Sequence, residues 1–157
     1  MTTTRNPESV IDADTFSVRR TIHINAPLEK VWRTVTEPEL ISQWFGQVEL
    51  TGRGTGAVGT IGWPGQAHGP IRVEAFDPPT HVSYRWCSDL DTGPATVDDA
   101  HSTVFTFTLE ETPEGTQLTV VETGFETAAD PAALMADHRG GWDGELDKLV
   151  ALLERTA

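Results

Sequence analysis

Two stretches of the chain alternate apolar and polar residues but place a charged residue in the apolar phase. In TFSVRRTIHIN, the apolar positions alternate with polar ones, which is typical of a half-buried strand, and Arg20 is the exception. In LTVVETGF, Leu118 and Val120 share one face with Glu122. An inward charge is costly unless it is paired or hydrated. We therefore expect both charges to have specific partners.

The rest of the chain follows the same two kinds of pattern. Helical spacing over LEKVWRTVT and LISQWF predicts two short helices after the first strand. Six further segments with strand-like composition are broken by Gly, Pro and Asp: QVEL, GTIGW, GPIRVEAF, HVSYRW, STVFTFTLE and TQLTVVET. The polar, acidic interval 87–101 predicts a long loop between two of these strands. The sequence thus predicts seven strands.

The C-terminal region predicts a long amphipathic helix. Its apolar residues recur at steps of three and four from Leu134 to Leu153, and we expect the helix to begin between Asp130 and Gly141 and to end near Arg155. Gly140 and Gly141 predict a kink or a break, since paired glycines weaken a helix interior. The predicted class is α+β, with a curved antiparallel sheet against the helix. We expect a flexible lead over 1–14 and one domain over 15–157.

Charge and composition narrow the classes of function. A net charge of −13 over 157 residues repels nucleic acids and anionic membranes. A single cysteine, Cys87, excludes an internal disulfide, and the N-terminal residues lack the apolar run of a signal peptide, so a cytoplasmic setting is expected. No stretch is apolar over the length that a membrane helix needs.

Segments that match familiar ligand motifs lack the neighbouring residues or elements that those motifs need. GTGAVG over 54–59 lacks a following helix, so it predicts a turn rather than a dinucleotide site. DLDTG over 89–93 has Pro94 and Ala100 where a calcium loop needs Gly and Glu. The five histidines have no metal-ligand spacing. The sequence therefore predicts no metal site, no cofactor and no catalytic set.

Four stretches together resemble one known superfamily. INAPLEKVWRTVTEPELISQWFG resembles the opening of the SRPBCC or START-like (Bet v 1-like) helix-grip proteins, in which a strand leads into two helices. FDPPTHVSYRW, LTVVETGF and GWDGELDKLVALLE are similar to the branch that contains the C-terminal domain of the heat-shock-protein-90 ATPase activator. The resemblance covers about residues 15–155. It implies a seven-stranded sheet wrapped around the C-terminal helix. Many members of the branch have a histidine at the position of Glu122, so this chain departs from them there.

A helix-grip fold encloses a cavity between the sheet and the helix, and the inward phase provides its candidate lining. The candidate ligand-cavity residues are Trp63, Tyr84, Trp86, Phe105, Phe107, Val120, Glu122, Met135, His138 and Trp142. Trp32 and Trp44 are expected to be packing residues of the short helices. The same aromatic stripes could equally form a packed core. The helix-grip resemblance implies that the first and last strands are neighbours, so with antiparallel pairing we expect Arg20 and Glu122 to meet, or to share water, at a polar end of the cavity.

Three kinds of function remain open. The first is binding of a small hydrophobic or amphipathic ligand, as the superfamily resemblance implies. The second is a co-chaperone or protein-interaction module, implied by the activator branch. The third is a cavity enzyme like the polyketide cyclases, with Glu122, His138 or Tyr84 as acid or base. The oligomeric state is left open between a monomer and a homodimer.

Overall fold

A large antiparallel sheet and one long helix form the frame of the molecule. The computed structural model describes residues 6–65, 68–87 and 97–155. Within these residues the strands are β1 Val10–Asp12, β2 Ser17–Ile24, β3 Gln47–Thr51, β4 Val58–Gly62, β5 Gly69–Asp77, β6 His81–Trp86, β7 Thr103–Thr112 and β8 Gly115–Thr123. The helices are α1 Leu28–Thr36, α2 Pro38–Ile41 and α3 Pro131–Arg155, and a 3₁₀ turn spans Phe125–Thr127.

The described strands form one sheet in the order β1-β2-β8-β7-β6-β5-β4-β3. The predicted α+β class with a curved antiparallel sheet is confirmed. The predicted count of seven strands is wrong by one, because β1 lies within the segment 1–14 that was expected to be a flexible lead. Its three residues pair with β2, with Ile11 opposite Val18. Three residues are too few for an alternation to stand out in the sequence.

The C-terminal helix has the predicted bounds but runs without the predicted break. α3 is a single unbroken helix of 25 residues, so the expected break at Gly140 and Gly141 is wrong. Each glycine costs about 1 kcal/mol relative to alanine in a helix interior. Burial of a large apolar side chain contributes about 1.5–3 kcal/mol. Five residues of α3 are buried: Met135, Trp142, Leu146, Leu149 and Leu153. Tertiary packing therefore outweighs the local weakness.

The register of the sheet places both inward charges as the alternation predicts. β2 and β8 pair with Val18 opposite Glu122 and Arg20 opposite Val120. The side chains of Arg20 and Glu122 are buried. The two charges therefore lie on neighbouring strands beneath the same helix, α3.

Some expectations concern residues beyond the described ranges. Of the predicted loop over 87–101, residues 88–96 lie outside the described residues, and so does the DLDTG stretch. Within the described ranges, no helix is both long and apolar enough to cross a membrane.

Candidate functional site: a buried carboxylate behind an aromatic pocket

Glu122 is the centre of a dense hydrogen-bond network. Its side chain is fully buried. Thr103 Oγ1 and Trp86 Nε1 donate to Glu122 Oε2 over 2.6 Å and 3.0 Å. Trp142 Nε1 donates to Oε1 over 2.8 Å, and His138 Nδ1 lies 2.9 Å from both carboxylate oxygens. Four side chains thus satisfy one buried carboxylate, which is what a buried charge requires.

The same contacts shift the pKa values of Glu122 and His138. Burial alone raises the pKa of Glu122, but the hydrogen bond and charge of His138, together with Thr103 and Trp86, outweigh it and leave the pKa lowered. Burial alone lowers the pKa of His138, but Glu122 outweighs it, aided by the charge of Asp137, and leaves the pKa raised. Each group therefore favours the charged form of the other in this buried pair.

Three adjacent strands and one helix bring these groups together. Trp86 at the end of β6 lies opposite Thr103 at the start of β7, and Phe105 lies opposite Glu122 on β8. From above, α3 contributes His138 and Trp142, which are four residues apart and so lie on one face of the helix. The site is assembled where the ends of β6 and β8 and the start of β7 meet the middle of α3.

An open pocket lies in front of this network. Its volume is about 530 Å³. Its walls are mostly aromatic and aliphatic, with polar groups from α3, and the lining residues are Phe45, Ile61, Trp63, Trp86, Cys87, Ala136, Asp137, His138, Gly140, Gly141, Trp142 and Glu145. A volume of this size lies within the range of small-molecule sites.

The aromatic wall is a connected set of rings around Phe45. Its ring centroid lies 5.3 Å from that of Trp63 and 5.6 Å from that of Trp142. Trp86 joins the set, 5.7 Å from Phe45 and 6.0 Å from Trp63. These separations are those of favourable aromatic pairs, so the rings support one another as a fixed wall.

His138 links the network to the pocket. Its Nδ1 bonds Glu122, whereas its Nε2 has no hydrogen-bond partner among the residues that the structure describes. The side chain is 13% exposed, and the residue lines the pocket. In its charged form the imidazole carries a second N–H donor, which is left available to a molecule in the pocket.

The predicted cavity residues divide into three groups. Trp63, Trp86, His138 and Trp142 line the open pocket. Tyr84, Phe105 and Phe107 surround a void of only about 10 Å³, so they are packed as core. Val120, Met135 and Glu122 are buried and line neither space.

The short helices and Tyr84 fit the packing interpretation. Trp44 is buried, and its Nε1 donates to the carbonyl of Thr34 over 3.0 Å. Trp32 is buried against Phe76. Tyr84 Oη donates to the carbonyl of Val35 over 2.6 Å, and burial raises the pKa of its phenol. A phenol held in this way is a structural donor rather than an acid or base facing the pocket.

The expected contact between Arg20 and Glu122 is wrong. Arg20 Nη2 lies 2.8 Å from Asp147 Oδ1, and its Nη1 donates to the carbonyls of Trp142 and Asp143. Its Nε donates to the carbonyl of Pro7. Arg20 therefore fastens α3 and the N-terminal segment to the sheet. Its partners come from α3, whose rotation over the sheet is not encoded in strand parity.

Several pocket residues were not predicted. Phe45 was assigned to a helix face only, and Gly140 and Gly141 were considered only as weak points of α3. Cys87 and Glu145 also line the pocket. The signal for Gly141 was present in the sequence, since residues 138, 141 and 145 fall at the three- and four-residue steps that define one helix face.

These features define an α+β helix-grip protein whose aromatic pocket lies in front of a buried hydrogen-bond network. The sequence profile of the family described as "Activator of Hsp90 ATPase homolog 1-like protein" matches residues 25–154. The chain belongs to this family. No curated protein matches it significantly.

Solved structures give the same fold. Protein MLL2253 from Mesorhizobium loti is 30% identical with a TM-score of 0.74, over 90% of this chain and 98% of that one. DynU16, from the dynemicin biosynthetic locus, is 26% identical with a TM-score of 0.71, over 88% of this chain and 47% of its own. The Aha1 dimer from Colwellia psychrerythraea is 18% identical with a TM-score of 0.69, over 88% and 96%, and shows the fold alone.

Proposed function

We propose that this protein binds a small hydrophobic or amphipathic molecule in the open pocket between α3 and the sheet. The observation that carries the proposal is the pairing of an aromatic wall with one oriented donor, His138 Nε2, which no protein group in the described residues uses. Apolar walls with a few fixed polar groups are typical of small-molecule sites. The apolar part of the ligand would lie on Phe45, Trp63 and Trp142, and an acceptor atom would face His138.

Glu122 has an indirect role in this proposal. It does not line the pocket, but it bonds Trp86, Trp142 and His138, all of which do. A single carboxylate would thus hold two ring planes and one imidazole in fixed orientations before a ligand arrives. Preorganised walls reduce the entropy cost of binding.

The glycines of α3 offer a sharp test. A side chain at Gly140 or Gly144 would meet no atom within 4 Å at its Cβ, so the helix should accept either change. Gly140 lines the pocket and Gly144 does not. Gly140→Leu should therefore fill the pocket, and Gly144→Leu is the matched control.

Binding can be measured with a panel of neutral bicyclic aromatic alcohols and ketones, headed by 1-naphthalenemethanol. Calorimetry should give saturable binding to the wild type and to Gly144→Leu, and a Kd at least about tenfold higher for Gly140→Leu. In NMR titrations the indole N–H signals of Trp86 and Trp142 should move. Absence of binding across the panel, or equal affinity in both glycine variants, would refute the proposed site.

A second candidate function is acid–base catalysis in the same pocket. The buried pair of His138 and Glu122 favours it, because a carboxylate that orients a histidine is a common arrangement for a general acid or base. Small molecules that co-purify with the protein from its native host can be incubated with it, and mass spectrometry then shows whether any of them is converted. Turnover that His138→Gln removes while binding persists would support the enzyme. An unchanged ligand would support binding alone.

An interaction role is a further alternative, and it rests on the family description and the Aha1 dimer. Light scattering over a concentration series tests a homodimer, and binding to a heat-shock-protein-90 partner tests the chaperone role. Glu122→Gln should leave a protein-docking surface intact, whereas it should weaken ligand binding.

A further inference from the structure

The charged groups around the pocket are not balanced. Asp137 and Glu145 of α3 both line it, whereas His138 is the only basic side chain among the described residues that line it. The charge of His138 is already matched by Glu122 at 2.9 Å. Lys148 lies 2.8 Å from Glu145 but is half-exposed and does not line the pocket. Three carboxylates therefore face two cations, and the excess negative charge lies at the pocket.

Asp137 is the main source of that excess. It makes no hydrogen bond or ion pair with any residue that the structure describes, and its charge acts on His138. A ligand carboxylate placed at His138 would meet Asp137 beside it and Glu122 directly behind the imidazole. An ammonium group would instead meet a carboxylate without a protein counterion.

The aromatic wall also favours a cation over an anion. The face of an indole or phenyl ring carries negative charge and attracts cations, most strongly for tryptophan. Trp63, Trp86, Trp142 and Phe45 all line the pocket. Asp137 is exposed, and the difference between it and an acidic residue on an open surface is that these rings line the same pocket.

We infer that the pocket takes an aromatic ligand with a positively charged amine and rejects the matching carboxylate. The amine lies towards Asp137, the carboxylate without a protein partner among the described residues, and the ring system lies on the aromatic wall. This inference rests on the proposed function, since it names the class of ligand for the same pocket.

Three compounds with one ring system test the charge preference separately from ligand binding itself: 1-naphthylmethylammonium, 1-naphthalenemethanol and 1-naphthoate. Their Kd values should be measured at neutral pH and about 0.15 M salt, where screening over about 8 Å removes most of the effect of the distant surface charge. The ammonium compound should bind at least about tenfold more tightly than the carboxylate, with the alcohol between them.

Matched variants show whether the preference is local. Asp137→Asn should reduce the ratio of carboxylate to ammonium Kd by about threefold or more, and Glu145→Gln by less, because Lys148 already pairs with Glu145. Glu111→Gln is the control, since Glu111 is exposed near the hairpin end of β7, eight residues from Thr103. It removes the same charge far from the pocket and should leave the ratio unchanged.

Each outcome has one meaning. If the alcohol binds but the carboxylate binds as tightly as the ammonium compound, the charge preference is wrong and the pocket remains a binding site. The preference is also wrong if Glu111→Gln changes the ratio as much as Asp137→Asn does. If none of the three compounds binds and the wider neutral panel also fails, the proposed function itself is refuted.

Discussion

Arg20 and Glu122 are two buried charges on neighbouring strands, and the protein uses them in opposite ways. Arg20 bonds backbone carbonyls and two carboxylates of the surface side of α3, Asp143 and Asp147. Within the part of the chain that the structure describes, the carboxylate of Glu122 bonds only side chains, and three of them line the pocket. The first charge fastens one element to another, whereas the second sets the shape of a site.

The partners of the two charges differ in their exposure to solvent and in whether they keep an unused hydrogen-bond donor. The partners of Arg20 reach solvent, with Asp143 27% and Asp147 58% exposed, so they can be hydrated without it. The partners of Glu122 are buried or nearly so, and His138 keeps one nitrogen free of protein contacts in the described residues. A buried charge whose partner still has an unused donor at a pocket is therefore the better indicator of function.

The largest expected effect is on stability after removal of Glu122. Glu122→Gln should lower the free energy of unfolding by about 3–5 kcal/mol, because it removes one partner of a buried pair and turns an amide donor towards the indole donors of Trp86 and Trp142. Arg20→Met should cost about 1.5–3 kcal/mol, since hydrated partners remain. Urea unfolding near neutral pH measures both. An equal or larger loss for Arg20→Met would reverse the comparison.

A smaller effect is the pH dependence of stability. The raised pKa of His138 contributes stability that is complete below its ordinary value of 6.5 and is lost as pH rises through the raised value. The lowered pKa of Glu122 contributes stability that is complete above 4.5 and is lost as pH falls through the lowered value. The pair is therefore fully stabilising between 4.5 and 6.5.

Unfolding at about pH 6 and pH 9 measures the alkaline side of this window. The wild type should lose about 1.4 kcal/mol for each unit by which the pKa of His138 is raised. Arg20→Met should retain that loss, and Glu122→Gln should not. A pH dependence unchanged in Glu122→Gln would mean that another group is responsible.

The smallest expected effect is the coupling between the two charges. The two make no direct contact and share one partner, Trp142, so the losses in the Arg20→Met and Glu122→Gln double variant should add to within about 0.5 kcal/mol unless Trp142 couples them. The pair of Glu122 and His138 should instead be strongly non-additive. Trp142 touches both charges, through its carbonyl and its indole. A coupling above that limit would show that Trp142 transmits strain from one to the other.

The sequence predicted which residues point inward better than it predicted the partners that they contact. Alternation along β2 and β8 placed Arg20 and Glu122 inward, and the apolar spacing located the ends of α3. Local periodicity carries no information on how α3 is rotated over the sheet, and that rotation decides which charge meets Asp147 and which meets His138. For the same reason, Tyr84 and Phe105 were predicted as cavity lining although they are packed core.

The glycines of α3 have a further consequence, for how the protein could evolve. Gly140 and Gly141 weaken its longest helix, and alanine at either position would find open space. Replacing one should stabilise the fold by up to about 1 kcal/mol, an increment readily available by a single substitution. Each added methyl would also narrow the pocket mouth. If the pocket takes a ligand as proposed, a gain in stability at either position would therefore come with a loss of room for that ligand.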